Sequence, residues 1–381
     1  MRRQGSSSCL LAFFTRRRAV ASAAANAADV RDPDRAGRPV LVFPNLNLAE
    51  WRAKALSFES EIAKAVVGQD RAIRLMTIAT LCRGHVLLEG DVGVGKTTLL
   101  RTVARALGGP YERIEGTVDL MPNDMLYTPF IGEDGRPRVD PGPALAHGEN
   151  LAIFFFNEIN RARPQVHALL LRMMAERSVT AFRREVRFPH LQVFADRNKV
   201  ERDETFELPA AARDRFFMEI RVAAPAERAM RSRLVFDPAF HDVDALIGRV
   251  DEGILPYDRL AELATAIQAT IHASPAIEAY VIGLWDVLRD LAGNDIAIEG
   301  VDVARLVVGG ASPRGLSALV RAARANAWLE GRDSVVPEDV RAMFPVVMGH
   351  RIFFSPIYEM RRDEISPALH RAVFDAVPIP A

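Results

Sequence analysis

The stretch from His85 to Leu100, HVLLEGDVGVGKTTLL, constrains this chain more than any other. The apolar run from His85 to Glu89 predicts a buried strand, and Thr98 to Leu107 predicts a helix. Between them, Gly90-Asp91-Val92-Gly93-Val94-Gly95-Lys96-Thr97 fits G-x-x-x-x-G-K-[ST] at every fixed position. In that strand–loop–helix context the glycines let backbone N–H groups turn inward around phosphate. Lys96 would supply a charge to the β/γ-phosphates and the Thr97 hydroxyl a ligand to Mg²⁺. The expected ATP contacts therefore run from Gly90 through Thr98. A plain glycine turn packing a helix on a sheet would leave Lys96 unexplained.

Strand and helix signals alternate around that loop. Trp51 to Val67 reads as an amphipathic helix with Trp51, Leu56, Ile62 and Val66 near one face, and Gly68-Gln69-Asp70 opens a second helix through Leu81. Tyr111 to Glu115 is a short strand. Leu151 to Phe156 and Leu191 to Ala195 are continuous apolar runs, the pattern of strands buried on both faces. Val166 to Ala175 is helical. Two hairpins interrupt the series, one turning at Glu133-Asp134-Gly135 and one at Arg183-Arg184. The predicted fold class is α/β, a P-loop NTPase core with a largely parallel sheet, helices on both faces and two small hairpin inserts. After Ala223-Ala224-Pro225 long 3.6-period segments take over, which predicts an all-helical second domain. The expected division is a loose tail over 1–48, the α/β domain over 49–224, the helical domain over 225–355, and a C-terminal helix and tail over 356–381.

Phe154-Phe155-Phe156-Asn157-Glu158 follows Lys96 by about sixty residues. A buried strand ending in an acid is where an NTPase places its metal ligand and its base. Glu158 is the candidate that polarises the attacking water; the competing reading is a helix N-cap. Asn157 stands where a second carboxylate is expected. It keeps a carbonyl oxygen for Mg²⁺ but loses the charge the ion prefers. Either Thr97 and the phosphates hold the metal well enough, or hydrolysis is slow and nucleotide mainly sets assembly. Asn198, just past the Leu191 to Ala195 strand, either orients the attacking water or serves as a turn residue. Arg215, in Asp214-Arg215-Phe216, either acts as a finger on a neighbouring subunit or forms a surface ion pair. Arg314 follows Pro313 at a helix start and could reach the γ-phosphate from the helical lid.

Bulk properties narrow the classes. The formal net charge is zero, so no field draws in nucleic acid or an anionic membrane, and no nucleic-acid partner is expected. No apolar run approaches the ~18–20 residues of a membrane span. Cys9 and Cys82 make no disulfide framework, and no Cys/His spacing suggests a metal cage, so a cytoplasmic setting is expected. The first 28 residues carry five arginines and no acid. Thr15-Arg16-Arg17-Arg18 faintly resembles a twin-arginine export signal. Cys9 to Phe14 is too short for an h-region of about 7–15 residues, so the segment reads as a loose tail or a start codon placed too early.

In order along the chain, Gly68-Gln69-Asp70, the phosphate loop, Asp119-Leu120-Met121-Pro122-Asn123-Asp124, Asn157-Glu158-Ile159-Asn160-Arg161-Ala162, Leu208-Pro209 with Asp214-Arg215-Phe216, Gly310-Ala311-Ser312-Pro313-Arg314 and His350-Arg351-Ile352 resemble the MoxR family of AAA+ ATPases. The resemblance implies Asn198 as sensor 1, Arg215 as arginine finger and Arg314 as sensor 2. It implies a homo-oligomeric ring, usually a hexamer, with ATP between subunits. The two hairpins resemble the helix-2 insert and the pre-sensor-1 hairpin; the tip from Gly132 to Arg136 is a candidate axial contact. Family members act as chaperone-like ATPases on protein clients, often beside von Willebrand factor A-domain proteins. GDVGVGKTTLLR and FFFNEINRARPQVH are similar to the branch tied to methanol dehydrogenase gene clusters. The chain departs from the family at Asn157, which replaces the Walker B aspartate. It departs again at Ala195-Asp196-Arg197-Asn198-Lys199, which replaces A-T-Q-N-P, and at Ala210-Ala211-Ala212.

Overall fold

The computed structural model describes residues 46–198, 206–310 and 312–380. The expected tail through residue 45, Lys199 of the second departure and Ala311 lie outside the described residues. Two helices precede the sheet, α1 (Leu48–Ala65) and α2 (Asp70–Leu81). The buried stripe of α1 is Trp51, Ala55, Phe58, Ile62 and Ala65. Leu56, expected on that face, is exposed. It lies about 100° around the helix from Ala55, off the 51-55-58-62 line.

The phosphate-loop strand β1 (Val86–Gly90) and helix α3 (Lys96–Leu107) come next, then β2 (Tyr111–Glu115) and the short α4 (Pro122–Leu126). The first hairpin pairs β3 (Tyr127–Ile131) with β4 (Pro137–Pro141). β5 (Ile153–Asn157) and α5 (Pro164–Glu176) follow, and the second hairpin pairs β6 (Ser178–Ala181) with β7 (Arg184–Arg187). β8 (Gln192–Asn198), α6 (Ala210–Arg213) and β9 (Met218–Arg221) complete the core. The main sheet has the order β2-β5-β8-β1-β9, and every pair in it is parallel. Every residue of β1 and of β5 is buried, which is why both read as unbroken apolar runs. Leu87, Phe154, Phe156, Val193 and Ala195 pack with Val166, Leu170 and Met173 of α5 on one face.

Parallel strands carry all their C-terminal ends to one edge, and ligands of such sheets bind there. Gly90 is level with Asn198 across β1 and β8. Phe156 is level with Ala195 across β5 and β8. The phosphate loop, Glu158 and Asn198 are therefore delivered to one edge by three adjacent strands.

Beyond β9, α7 (Arg228–Phe236) has no buried residue, and its apolar end, Val235 and Phe236, faces solvent. The short α8 (Val243–Gly248) touches α1 and α3. Helices α9 (Leu260–Thr270), α10 (Pro275–Arg289), α11 (Pro313–Leu329) and α12 (Pro337–Met348) form the helical lid, with α11 touching α1, α2, α9, α10 and α12. The lid is not purely helical. β10 (Val307–Gly309) pairs antiparallel with β11 (Phe353–Phe354), and α13 (Pro356–Glu359) and α14 (Arg362–Ala376) end the described chain. Strands of two and three residues carry no period to read, and they meet only because the intervening helices return the chain. No helix among the described residues is long and apolar enough to cross a membrane.

Candidate nucleotide site

Gly93 and Gly95 adopt φ of +77° and +88°, and a Cβ at either would meet nothing within 4 Å. Glycine is needed there for backbone conformation, not for space. Gly95 is the N-cap of α3, whose first N–H groups and positive dipole end face the loop. Lys96 is only 6% exposed. Its Nζ donates to Gly90 O (2.8 Å), Asp91 O (2.9 Å) and Asn198 Oδ1 (2.7 Å). Asp91, Val92 and Gly93 are exposed, and Val94, Gly95, Thr97 and Thr98 are half-buried, so the loop lines an accessible surface.

Asn198 spends both ends of its amide in the site. Its Oδ1 accepts from Lys96, and its Nδ2 donates to Glu158 Oε1 at 2.9 Å. One buried amide thus ties Lys96 to the candidate base Glu158. Glu158 is half-buried and sits at φ +52°, a left-handed conformation costly for a side-chain-bearing residue. Its own N–H is held by Asp196 Oδ1 at 2.6 Å. Its Oε2 faces Arg161 at 3.1 Å yet accepts no hydrogen bond among the described residues. Glu158 does cap a 3-10 turn by position, but its carboxylate makes no cap hydrogen bond. Asn157 is buried, and in the orientation that satisfies its amide, Oδ1 accepts from Arg113 (3.3 Å) and Nδ2 donates to Asp196 (3.1 Å). The oxygen assigned to Mg²⁺ from the sequence is thus engaged by an arginine.

The donor set fits a hydrated Mg²⁺. Thr97 stands in the first turn of α3, and the Glu158 carboxylate has an oxygen left without a hydrogen bond. No group of three or more Asp, Glu, His or Cys side chains converges among the described residues. Mg²⁺ dehydrates reluctantly and is held by one or two carboxylates plus substrate phosphates.

Arg215 and Arg314 are brought together, but not at this edge. Both line a cleft with Gly84, His85 and Phe217, at the N-terminal ends of β1 and β9. Arg314 Nη1 donates to Asp214 Oδ2 at 2.7 Å, and Arg215 donates to Ala211 O at 2.8 Å. The length of β1, roughly 15 Å, lies between Arg314 and its own phosphate loop. The reason is tertiary. The lid docks at the β9 side of the sheet, where α12 contacts β9.

Two features were undervalued from the sequence alone, the Asp214–Arg351 pair and Asp196. Asp214 is a hub, accepting from Ser312 Oγ (2.8 Å), Arg314 and Arg351 Nε (3.2 Å). Arg351 is 1% exposed and also donates to Phe216 O (2.6 Å) and Phe217 O (3.3 Å). Burial pulls its guanidinium down to about 10, against the opposing pull of Asp214. The His350-Arg351-Ile352 motif thus pins the segment that carries Arg215, a contact that the sequence marked as a motif but gave no partner. Asp196 is the other. Burial pushes its carboxyl up, opposed by the Glu158 N–H and by Lys96.

Residues 85–218 match the family described as ATPase family associated with various cellular activities (AAA), and residues 302–369 match the AAA lid domain. The chain is 66% identical over 333 residues to the protein MoxR of Methylorubrum extorquens, covering 87% of this chain and 97% of that one. It is 35% identical to the chaperone MoxR1 of Mycobacterium tuberculosis over 81% of this chain and 78% of that one. A crystal structure of a candidate ATPase from Cytophaga hutchinsonii superposes with a TM-score of 0.73 at 28% identity, covering 88% of this chain and 97% of that one.

Proposed function

The chain belongs to the MoxR family of AAA+ ATPases, and from that premise we propose that it binds and hydrolyses ATP with Mg²⁺ in a homo-oligomeric ring and uses the cycle to remodel or activate a protein client. The observation that carries the hydrolytic reading is the Lys96–Asn198–Glu158 chain of hydrogen bonds. On phosphate binding, Lys96 exchanges the Gly90 and Asp91 carbonyls for β/γ oxygens. Glu158, held by Asn198, accepts the proton of the attacking water. Mg²⁺, when bound beside Thr97, supplies charge neutralisation across the phosphates. Arg215 and Arg314 lie at the far end of the sheet, so a site completed by them needs a second copy, which favours a ring with both arginines acting in trans.

The client side rests on kinship and on placement. One relative carries the name chaperone. The β3–β4 hairpin, with Gly132 to Arg136 at its tip, is exposed along β4 and is the proposed axial contact. The methanol oxidation system is the proposed client in a cytoplasmic setting, with a von Willebrand factor A-domain protein as the proposed co-partner. A second reading, a nucleotide-gated scaffold with little turnover, is favoured by one observation, the Asn157 oxygen engaged by Arg113.

Mg²⁺-dependent ATP turnover measured across protein concentration tests the proposal, with Glu158→Gln as control. Specific activity that rises with concentration, and falls about 10²–10⁴-fold in the variant while ATP binding persists, is the expected result. ATP binding without turnover in the wild type would transfer the argument to the scaffold.

A further inference from the structure

Asn157 and Asp196 form one feature of the site, not two. They lie 39 positions apart in the chain, on β5 and β8. The register that sets Phe156 beside Ala195, continued by one residue, sets Asn157 beside Asp196, and the Asn157 amide meets Asp196 Oδ1 at 3.1 Å. Asp196 is 2% exposed, and its other oxygen, Oδ2, stands 3.9 Å from Lys96 Nζ. We propose that Asp196, one strand across the sheet, supplies the carboxylate of the Mg²⁺ site that Asn157 lacks. The inference rests on the nucleotide reading above and names a residue of the same site.

Three observations carry it. First, two acids meet at this strand edge, Glu158 just past β5 and Asp196 on β8, with Asn157 between them. Second, Asp196 points one oxygen at the lysine that serves the phosphates, and Mg²⁺ is held chiefly through phosphates and one or two carboxylates. Third, the pair is mutually exclusive in charge. An aspartate at 157 would set two carboxylates about 3 Å apart, and like charges that close cannot both ionise. Asparagine there instead donates to Asp196 and takes a hydrogen bond from Arg113, which holds the Asp196 carboxylate in place. Asp196 has an observed second task, accepting the Glu158 N–H. A purely positioning role, acting through Glu158, would add no loss of Mg²⁺ response to a Glu158→Gln variant, whereas a direct ligand would.

The test uses the full chain, Mg²⁺ and a non-hydrolysable ATP analogue, with affinity measured in EDTA and across an Mg²⁺ titration. The variants are Asp196→Asn, Asn157→Asp and the exchange Asn157→Asp/Asp196→Asn. Asp196→Asn is expected to need about 10–100-fold more Mg²⁺ for the half-maximal gain, read relative to its own affinity in EDTA. Asn157→Asp alone is expected to impair the Mg²⁺ response, and the exchange to bring it back to within a few-fold of wild type. The exchange keeps one carboxylate and one amide at the pair, but the Asp196 oxygen that meets Asn157 also takes the Glu158 N–H, so the fold of every variant is checked by circular dichroism and thermal unfolding. A wild-type Mg²⁺ response in Asp196→Asn overturns the inference, as does a folded exchange variant that fails to recover. An Asn157→Asp variant that by itself improves the Mg²⁺ response also overturns it. A wild type that binds no nucleotide under either condition defeats the underlying reading instead, which separates the two failures.

Discussion

Arg314→Ala and Lys96→Ala, each inactive alone, should rescue one another when mixed. The Arg314 side chain is 60% exposed, and its ion pair with Asp214 is screened by water. Its loss costs about 0–1 kcal/mol of stability. Asp214 keeps Ser312 and Arg351, so the fold at the lid junction survives. If Arg314 neutralises transition-state charge on a neighbour's nucleotide, turnover falls by about 10³–10⁵. Lys96→Ala removes the phosphate-binding lysine and leaves Arg314 intact. In a ring assembled at random from equal amounts of the two, a complete site needs an Arg314→Ala subunit supplying Lys96 beside a Lys96→Ala subunit supplying Arg314. That ordered pair occurs with probability one half times one half, so activity should return to about one quarter of wild type. The assay is steady-state phosphate release after co-assembly, with mixed rings verified by differential tagging. Mixed rings that stay at the level of either variant alone would refute the trans placement, because two defects in the same subunit's site cannot complement.

Two further outcomes follow from burial. Arg351→Met removes one half of a buried ion pair and the donors to Phe216 and Phe217, and should cost about 3–5 kcal/mol in denaturant unfolding; a loss under about 1 kcal/mol would show that the Asp214 hub does not depend on it. His85 is buried and neutral, with Nδ1 accepting from Val193 N–H at 2.9 Å and Nε2 beside Met174 O at 3.1 Å. Burial first, then Arg177, lowers its value from 6.5 to about 3. The unfolded chain therefore takes up the proton first, so stability is level above pH 6.5 and falls as pH drops from 6.5 toward 3, by up to about 1.4 kcal/mol per pH unit. His85→Gln should flatten that slope in pH-dependent thermal or urea unfolding, and an unchanged slope would assign acid lability elsewhere, to His350 or His370, whose values burial also lowers.

What the sequence determined by itself is local. The phosphate loop, the strand before it and the helix after it are contiguous, so spacing and period suffice, and the structure reproduces them within two residues at each end. The hairpins at Gly135 and Arg184 were legible from their turn residues, and the apolar runs of β5 and β8 because a strand segment covered on both faces is apolar. Residue type at Glu158 and Asn198 marked candidates, but one strand's pattern could not choose between a base and a cap, or between a sensor and a turn. Tertiary structure alone made Asn198 the link between Lys96 and Glu158, 102 and 40 positions away. It set Asp196 beside Asn157, and it placed Arg314 on Asp214, 100 positions distant, at the wrong end of the sheet for its own loop. It also joined β10 to β11 and buried Arg351 against Asp214. These contacts depend on strand order and on where the lid docks, quantities that no periodicity encodes, because they are set by packing among elements far apart in the chain.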